Sequence, residues 1–362
     1  MSTVPFTLIL APLRGVTVRL FREVWARHFS GLDGAVSPFI PLVAGERIKP
    51  GLLADVDPAL PQALPVVPQV IGRDPAALRV MLAALRDRGY ERADLNAGCP
   101  WPMVVRKGRG AGLLAREDEL RRMLEAGCEA LPGGFSLKVR LGVDTPGLLL
   151  QRMPLINAAP LREVTIHPRT AKQMYDGAAD IGGFAEACAA CAHPVVYNGD
   201  IRTPADLARL RARFPGVARW MVGRGVAADP FLPARLRAGG GAPRDPGRLR
   251  AFLDDLLEAN GAALCGERPV LGRLKELWYY LAQTVHDGPR LLKQVQRSMT
   301  LADYRRAVDA WFARAPGWAP EPGGIDWRTD RGPAEKEALA ELLQAPGFRV
   351  QDARVQAENP EP

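Results

Sequence analysis

Between Pro5 and Arg237 eight short apolar or β-rich runs alternate with seven longer stretches of helical spacing. The short runs fall at 6–11, 34–37, 66–71, 93–96, 136–139, 163–167, 194–197 and 220–222. The helical stretches fall at 18–28, 75–88, 117–130, 145–158, 182–191, 204–213 and 229–237. In Ala76-Ala77-Leu78-Arg79-Val80-Met81-Leu82 the apolar positions suit a helix packed on one face. Strands alternating with helices require a mostly parallel sheet covered by those helices. Eight such units predict an α/β chain folded as a (β/α)8 TIM barrel. A doubly wound sheet is the alternative. It is weakened because no Gly-x-Gly-x-x-Gly follows the first strand.

The run Ala238-Gly239-Gly240-Gly241-Ala242-Pro243, with Pro246 and Gly247 behind it, breaks the pattern. The barrel is therefore expected over 1–240. Helical stretches at 249–264, 270–285, 289–298 and 301–314 then predict a small bundle over 248–314. From 315 to 362 Pro, Gly and charge rise, and an irregular tail with one short helix at 334–343 is expected.

With 47% hydrophobic and 24% charged residues, the 362-residue chain has the balance of a soluble globular protein. A net charge of +8 favours a polyanionic partner, provided some of the basic residues lie near a site. The five cysteines are odd in number, and no basic, long-apolar leader is visible. A reducing cytoplasm is the expected compartment, without membrane association, since 6–11 is too short to span a bilayer.

In such a barrel the chemistry sits where the strands end. The first run ends in Ala11-Pro12-Leu13 and the third offers Gln69. The fourth delivers Asn96 and Cys99 through Asp94-Leu95-Asn96-Ala97-Gly98-Cys99-Pro100, followed by the basic run Arg106-Lys107-Gly108-Arg109. Next come Lys138 and Arg140, His167 and Arg169, Asn198-Gly199-Asp200, and Gly223-Arg224-Gly225. The last two loops of these barrels commonly hold a phosphate, although glycines there also simply make tight turns. Lys138 and His167 suggest a cationic pocket end suited to a group that gains negative charge on reduction. Lys138 also suits a salt bridge or a Schiff base, and His167 a structural hydrogen bond. Arg14, Arg169 and Lys172 equally suit a solvated surface. Cys99 has no Cys or His at ligand spacing. Cys188-x-x-Cys191 lies on an outer helix without a second ligand pair, so it reads as packing and no metal is expected. Cys128 and Cys265 read as buried helical residues.

Aligned in this order, the motifs resemble the tRNA-dihydrouridine synthase family. The resemblance runs through Ala11-Pro12-Leu13-Arg14-Gly15-Val16-Thr17, Phe21-Arg22, Gln69-Val70-Ile71-Gly72 and Asn96-Ala97-Gly98-Cys99-Pro100. It continues through Gly110-Ala111-Gly112-Leu113-Leu114, Lys138-Val139-Arg140-Leu141-Gly142 and His167-Pro168-Arg169-Thr170. Gln173, Tyr175, Asn198-Gly199-Asp200-Ile201 and Gly223-Arg224-Gly225 complete it. Arg273 to Leu281 resembles the family's RNA-binding bundle, in the bacterial branch acting at D-loop position 16. The resemblance implies FMN as cofactor, NADPH as reductant and tRNA as partner. A monomer is expected, although no motif fixes the oligomeric state. It places Ala11, Pro12, Leu13, Gln69, Lys138, His167, Asn198, Gly199, Asp200, Gly223 and Arg224 around the FMN. It makes Cys99 the proton donor to uracil C5, opposite a hydride from flavin N5 to C6. A thiol with a pKa near about 8.5 is protonated at neutral pH, as such a donor must be. Asn96, Arg169, Arg106, Lys107 and Lys275 are the implied substrate contacts. Three positions depart from the family pattern: Val18 where Asp is common, Pro168 between His167 and Arg169, and Trp101-Pro102 after the Cys. Trp101 suits either stacking on a base or packing inside the barrel mouth. An FMN barrel acting on a free pyrimidine or an enone, and a chemically silent RNA-binding barrel, are the competing readings.

Overall fold

The computed structural model describes residues 5–45, 47–314 and 317–321. Its elements follow the expected alternation. They begin with β1 (Thr7–Leu10), α1 (Arg19–His28), β2 (Gly34–Val36), β3 (Ile40–Pro41), β4 (Val66–Val67) and β5 (Gln69–Ile71). Then come α2 (Pro75–Arg86), β6 (Ala93–Ala97), α3 (Pro102–Arg106), α4 (Glu117–Ala130), β7 (Phe135–Gly142) and α5 (Gly147–Ala158). The barrel ends with β8 (Val164–Thr170), α6 (Ile181–Ala190), β9 (Val195–Tyr197), α7 (Pro204–Arg213), β10 (Arg219–Val222), α8 (Arg224–Ala228) and α9 (Leu232–Ala238). Four further helices follow: α10 (Pro246–Ala263), α11 (Glu267–Leu281), α12 (Gly288–Arg297) and α13 (Leu301–Phe312).

Ten strand segments make eight parallel barrel strands. Two of the strands are interrupted. β2 and β3 form one, and β4 and β5 form the next, broken at Pro68, which has no N–H for the ladder. β2 pairs with β1 and β4, while β3 pairs with β5, so this interrupted pair closes the ring. The unbroken wall runs β5-β6-β7-β8-β9-β10-β1, all parallel. A (β/α)8 barrel results, as the alternation predicts.

Successive strand residues face opposite ways, and the core divides accordingly. Ile9, Ala11, Val36, Val196 and Met221 form a small apolar layer inside the ring. Leu8 and Leu10 join the main core between strands and helices. All eight residues of β7 are buried, as expected of a barrel strand covered on both faces.

Local signals set the helix starts. Asp74 accepts from the Ala76 and Ala77 amides with Pro75 opening α2, and Thr203 and Asp206 form a capping box on α7. The glycine break turns the chain through Gly239 at φ 68° and Gly240 at φ 128°. The helical segment then folds back on the barrel, and one apolar core runs through both. Phe252 of α10 packs edge-on against Phe21 and Phe29 of the α1 region. Arg273 of α11 donates to the Gly15 carbonyl at 2.7 Å, and Thr284 donates to the Ala228 carbonyl. These contacts carry α11 across the barrel's open end.

Cys265 departs from expectation. It is exposed in the bend between α10 and α11, because α10 ends at Ala263. Of the tail, 317–321 pack back on the helical segment: Trp318 bridges Val285, and Ala319 donates to the Thr284 carbonyl at 2.8 Å. The short helix expected at 334–343 lies outside the described residues.

Candidate active site

The strand ends open into a cavity of about 440 Å³, the size of a small-ligand site. Ala11, Pro12, Leu13, Asn96, Cys99, Lys138, His167, Asn198, Gly199, Asp200, Gly223 and Arg224 all line it. Those residues come from six strand ends spread over more than 200 positions.

Asn96 builds the Cys99 loop. Its Oδ1 accepts from the Gly98 amide at 3.1 Å and the Cys99 amide at 2.8 Å. Its Nδ2 donates to Gln69 Oε1 at 2.7 Å, and Gln69 Nε2 donates to Asp94 Oδ2 at 2.7 Å. Gln69 is fully buried beneath the cavity and holds Asn96 from below. The Cys99 carbonyl accepts from the Ala111 amide at 3.1 Å. Gly110 takes φ 55°, and a Cβ there would come within 2.7 Å of that carbonyl.

Arg140 ties this loop to the next. It is almost wholly buried, and it donates to the carbonyls of Gly98 at 2.9 Å, Thr170 at 2.9 Å and Met174 at 2.7 Å. Burial, with Arg169 and Arg224 nearby, pulls its pKa down to about 10, so it stays a cation at neutral pH. Tyr175 sits between its guanidinium and that of Arg224, at 5.3 and 4.5 Å.

The cations lining the cavity are Arg14, Lys138, Arg140, Arg202 and Arg224 rather than His167. Burial, reinforced by Arg140, Lys138, Arg169 and Arg224, drives the His167 pKa well below its ordinary 6.5. Arg169 Nη1 lies 3.2 Å from His167 Nε2. A guanidinium only donates, so Nε2 accepts and the neutral ring carries its proton on Nδ1. The expectation of a cationic His167 is thereby corrected. Burial and Arg140 also lower the Lys138 pKa against the pull of Asp94, whose own pKa burial raises. Among the described residues no hydrogen bond or ion pair holds the Lys138 ammonium, and it lines the cavity.

Asp200 stays ionised. Burial pushes its pKa up, but the hydrogen bond from Arg169 and the charges of Arg169, Arg224 and Arg202 outweigh that. It pairs with both Arg169 and Arg224 at a single carboxylate. Arg169 itself is 1% exposed and outside the cavity wall, anchored to Asp200, the Gly177 carbonyl and His167.

The remaining candidates lie apart. Arg106 and Lys107 are exposed at the end of α3, outside the cavity lining. Lys275 donates to the Ser298 carbonyl at 2.7 Å within the helical segment. The cavity also draws in Arg14, Phe39, Arg202 and Tyr280. Tyr280 comes from α11, some 180 positions after Cys99, and no local pattern signals that approach.

Among the described residues no group of acidic, His or Cys side chains forms a metal cluster, and no helix is long and apolar enough to cross a membrane. The model of the dihydrouridine synthase (Dus) family matches residues 9–251. The chain belongs to the dihydrouridine synthase family. This synthase is similar to a probable tRNA-dihydrouridine synthase of Rhodobacter capsulatus, 36% identical over 242 residues, 66% of this chain and 73% of that one. It is also similar to the tRNA-dihydrouridine(16) synthase of Cupriavidus necator, 32% identical over 329 residues, 87% of this chain and 99% of that one. Among solved structures, morphinone reductase in complex with tetrahydroNAD overlays 67% of this synthase and 89% of that chain, with TM-score 0.48 and 10% identity. As a dihydrouridine synthase the chain is an oxidoreductase.

Proposed function

We propose that this chain reduces the C5=C6 bond of a D-loop uridine in tRNA, using FMN reduced by NADPH, with Cys99 as the proton donor. The observation that carries this reading is the Cys99 thiol. Burial raises its pKa above the ordinary 9.0, against the Trp101 backbone hydrogen bond and the charges of Arg140, Arg14 and Lys138. At neutral pH it is a thiol that can give a proton, not a thiolate poised to attack.

FMN, when bound, would supply a hydride from N5 to uracil C6, completing the reduction that the Cys99 proton at C5 balances. The residues fit such a group. Lys138 offers an unpaired ammonium to an electron-rich ring edge. Arg224, Gly199 and Gly223 would hold a phosphate. A Cβ on Gly223 would press within 3.0 Å of Ala11, and one on Gly199 would collide with the Tyr197 hydroxyl. His167, neutral and protonated at Nδ1, donates without adding charge. Asn96 and Arg140 hold the Cys99 loop so that the thiol faces the cavity. The thiolate left after transfer regains its proton from water.

Position 16 is the uridine we favour, because the likeness to the Cupriavidus enzyme extends through the helical segment. Arg106 and Lys107, exposed at the end of α3, would take phosphates, while Lys275 would act mainly by closing α12 against α11.

The cofactor assignment is open to direct measurement. Purified protein should be yellow or turn yellow with FMN, release FMN and not FAD on denaturation, and be bleached faster by NADPH than by NADH. Protein that binds no flavin after incubation with FMN contradicts the proposal.

A further inference from the structure

Trp101 stands two residues after Cys99 on the same loop, lines the cavity, and is 54% exposed. Of the two roles its sequence suits, burial inside the barrel mouth is therefore excluded. Its neighbour Met103 is 56% exposed, so the loop presents an apolar ridge at the rim of a cationic opening.

The backbone under Trp101 is fixed. Pro100 and Pro102 flank it, and Pro102 opens α3 at its first position. The Trp101 carbonyl accepts from the Val104 amide at 2.8 Å and the Val105 amide at 3.0 Å, and the Cys99 carbonyl is held by Ala111. The backbone that carries the indole is thus held beside the Cys99 loop and has few states to lose on binding. Arg106 and Lys107 are exposed at the far end of the same short helix.

We propose that Trp101 is a positioning residue whose indole stacks on a base flanking the target uridine. This rests on the tRNA-reduction reading and deepens it. A uridine drawn into a cavity at the strand ends leaves its neighbours unstacked, at a cost of about a few kcal/mol. A half-exposed indole carried on a fixed backbone replaces that lost stacking whatever the flanking base, since every base has a π face. The bare ridge has a reason to be exposed, and the sequence departure at Trp101-Pro102 has a purpose. The indole provides the surface, and the prolines hold it at the rim.

The test compares Trp101→Ala, Trp101→Phe and wild type on unmodified tRNA transcripts. Some transcripts carry 2-aminopurine on one or the other side of the reduced uridine. Stacking contributes about 1–3 kcal/mol per base, so Trp101→Ala should raise KM for tRNA by about tenfold, with a smaller change in kcat. Trp101→Phe should recover most of the loss. Wild type and Trp101→Phe should quench 2-aminopurine on one flanking side, and Trp101→Ala should not. Unchanged KM in Trp101→Ala, or equal quenching in all three proteins, overturns the stacking role. Failure of wild type to reduce any transcript overturns the underlying activity instead. An alanine variant that melts earlier but quenches like wild type marks Trp101 as structural and also overturns the proposal.

Discussion

Cys99→Ala is expected to slow tRNA reduction by about 10²- to 10⁴-fold, while flavin stays bound and is still reduced by NADPH. The loop should survive the change, because its contacts use backbone atoms. Asn96 holds the Cys99 amide, and the Ala111 amide holds the Cys99 carbonyl. The chemistry should not survive, because no other cavity residue matches the thiol as a neutral acid on that loop. The pH profile separates donor from nucleophile. Burial raises the thiol pKa above 9.0, so the protonated donor persists through neutral pH and is lost only as pH climbs through that raised value. Wild type should therefore show a falling alkaline limb that the residual activity of Cys99→Ala lacks. A rate that rises with pH through the same range would mean the thiolate is the working form. A variant turning over at the wild-type rate would remove Cys99 from the mechanism.

Arg140→Met should have the second large effect, on stability and on rate together. Three backbone carbonyls, those of Gly98, Thr170 and Met174, lose their donor at once. A hydrogen bond from a charged donor contributes about 1.5–3 kcal/mol, and a buried acceptor left unpaired costs more than the bond was worth. Some of that is offset, because the guanidinium no longer has to be desolvated. A net loss of about 3 kcal/mol is expected, visible as a fall in Tm of several degrees. The freed Cys99 loop should also lower kcat, since a displacement of about 1 Å at a reacting group costs about 10²-fold. Arg140→Lys should rescue little, because an ammonium cannot span three carbonyls as the planar fork does. Thermal melts and tRNA turnover of the two variants measure both effects. Wild-type stability in Arg140→Met would contradict the role of Arg140 as the tie between the two loops.

The barrel was legible because the strands are mostly short apolar runs and several helices carry their own start signal. Pro75, Pro204 and Asp245 mark helix starts that agree with the sequence to within a few residues. The interruption at Pro68 and the pairing of two broken strands were not legible, because closure depends on partners about 30 positions apart. The helix α3 was missed because it is only five residues long and is marked at its start by Pro102 alone.

At the site, the strand-end rule collected most of the cavity wall, because the rule is topological. The state of each group was not legible. Burial first, and then the charges of Arg140, Lys138, Arg169 and Arg224, hold His167 neutral. Arg169 looks like a substrate contact in sequence and is consumed by Asp200 and Gly177 in space. Tyr280 reaches the cavity from α11, an approach set by docking of the helical segment and not by local spacing.

The central claim is that this chain reduces a uridine in the D-loop of tRNA. The most direct measurement incubates the FMN-loaded protein and NADPH with an unmodified tRNA transcript, then maps dihydrouridine by mass spectrometry of nuclease fragments. The account predicts the gain of two hydrogens at a single D-loop uridine, position 16, dependent on NADPH and nearly abolished in Cys99→Ala. Flavin that is reduced by NADPH while every D-loop uridine in every transcript keeps its mass would contradict it.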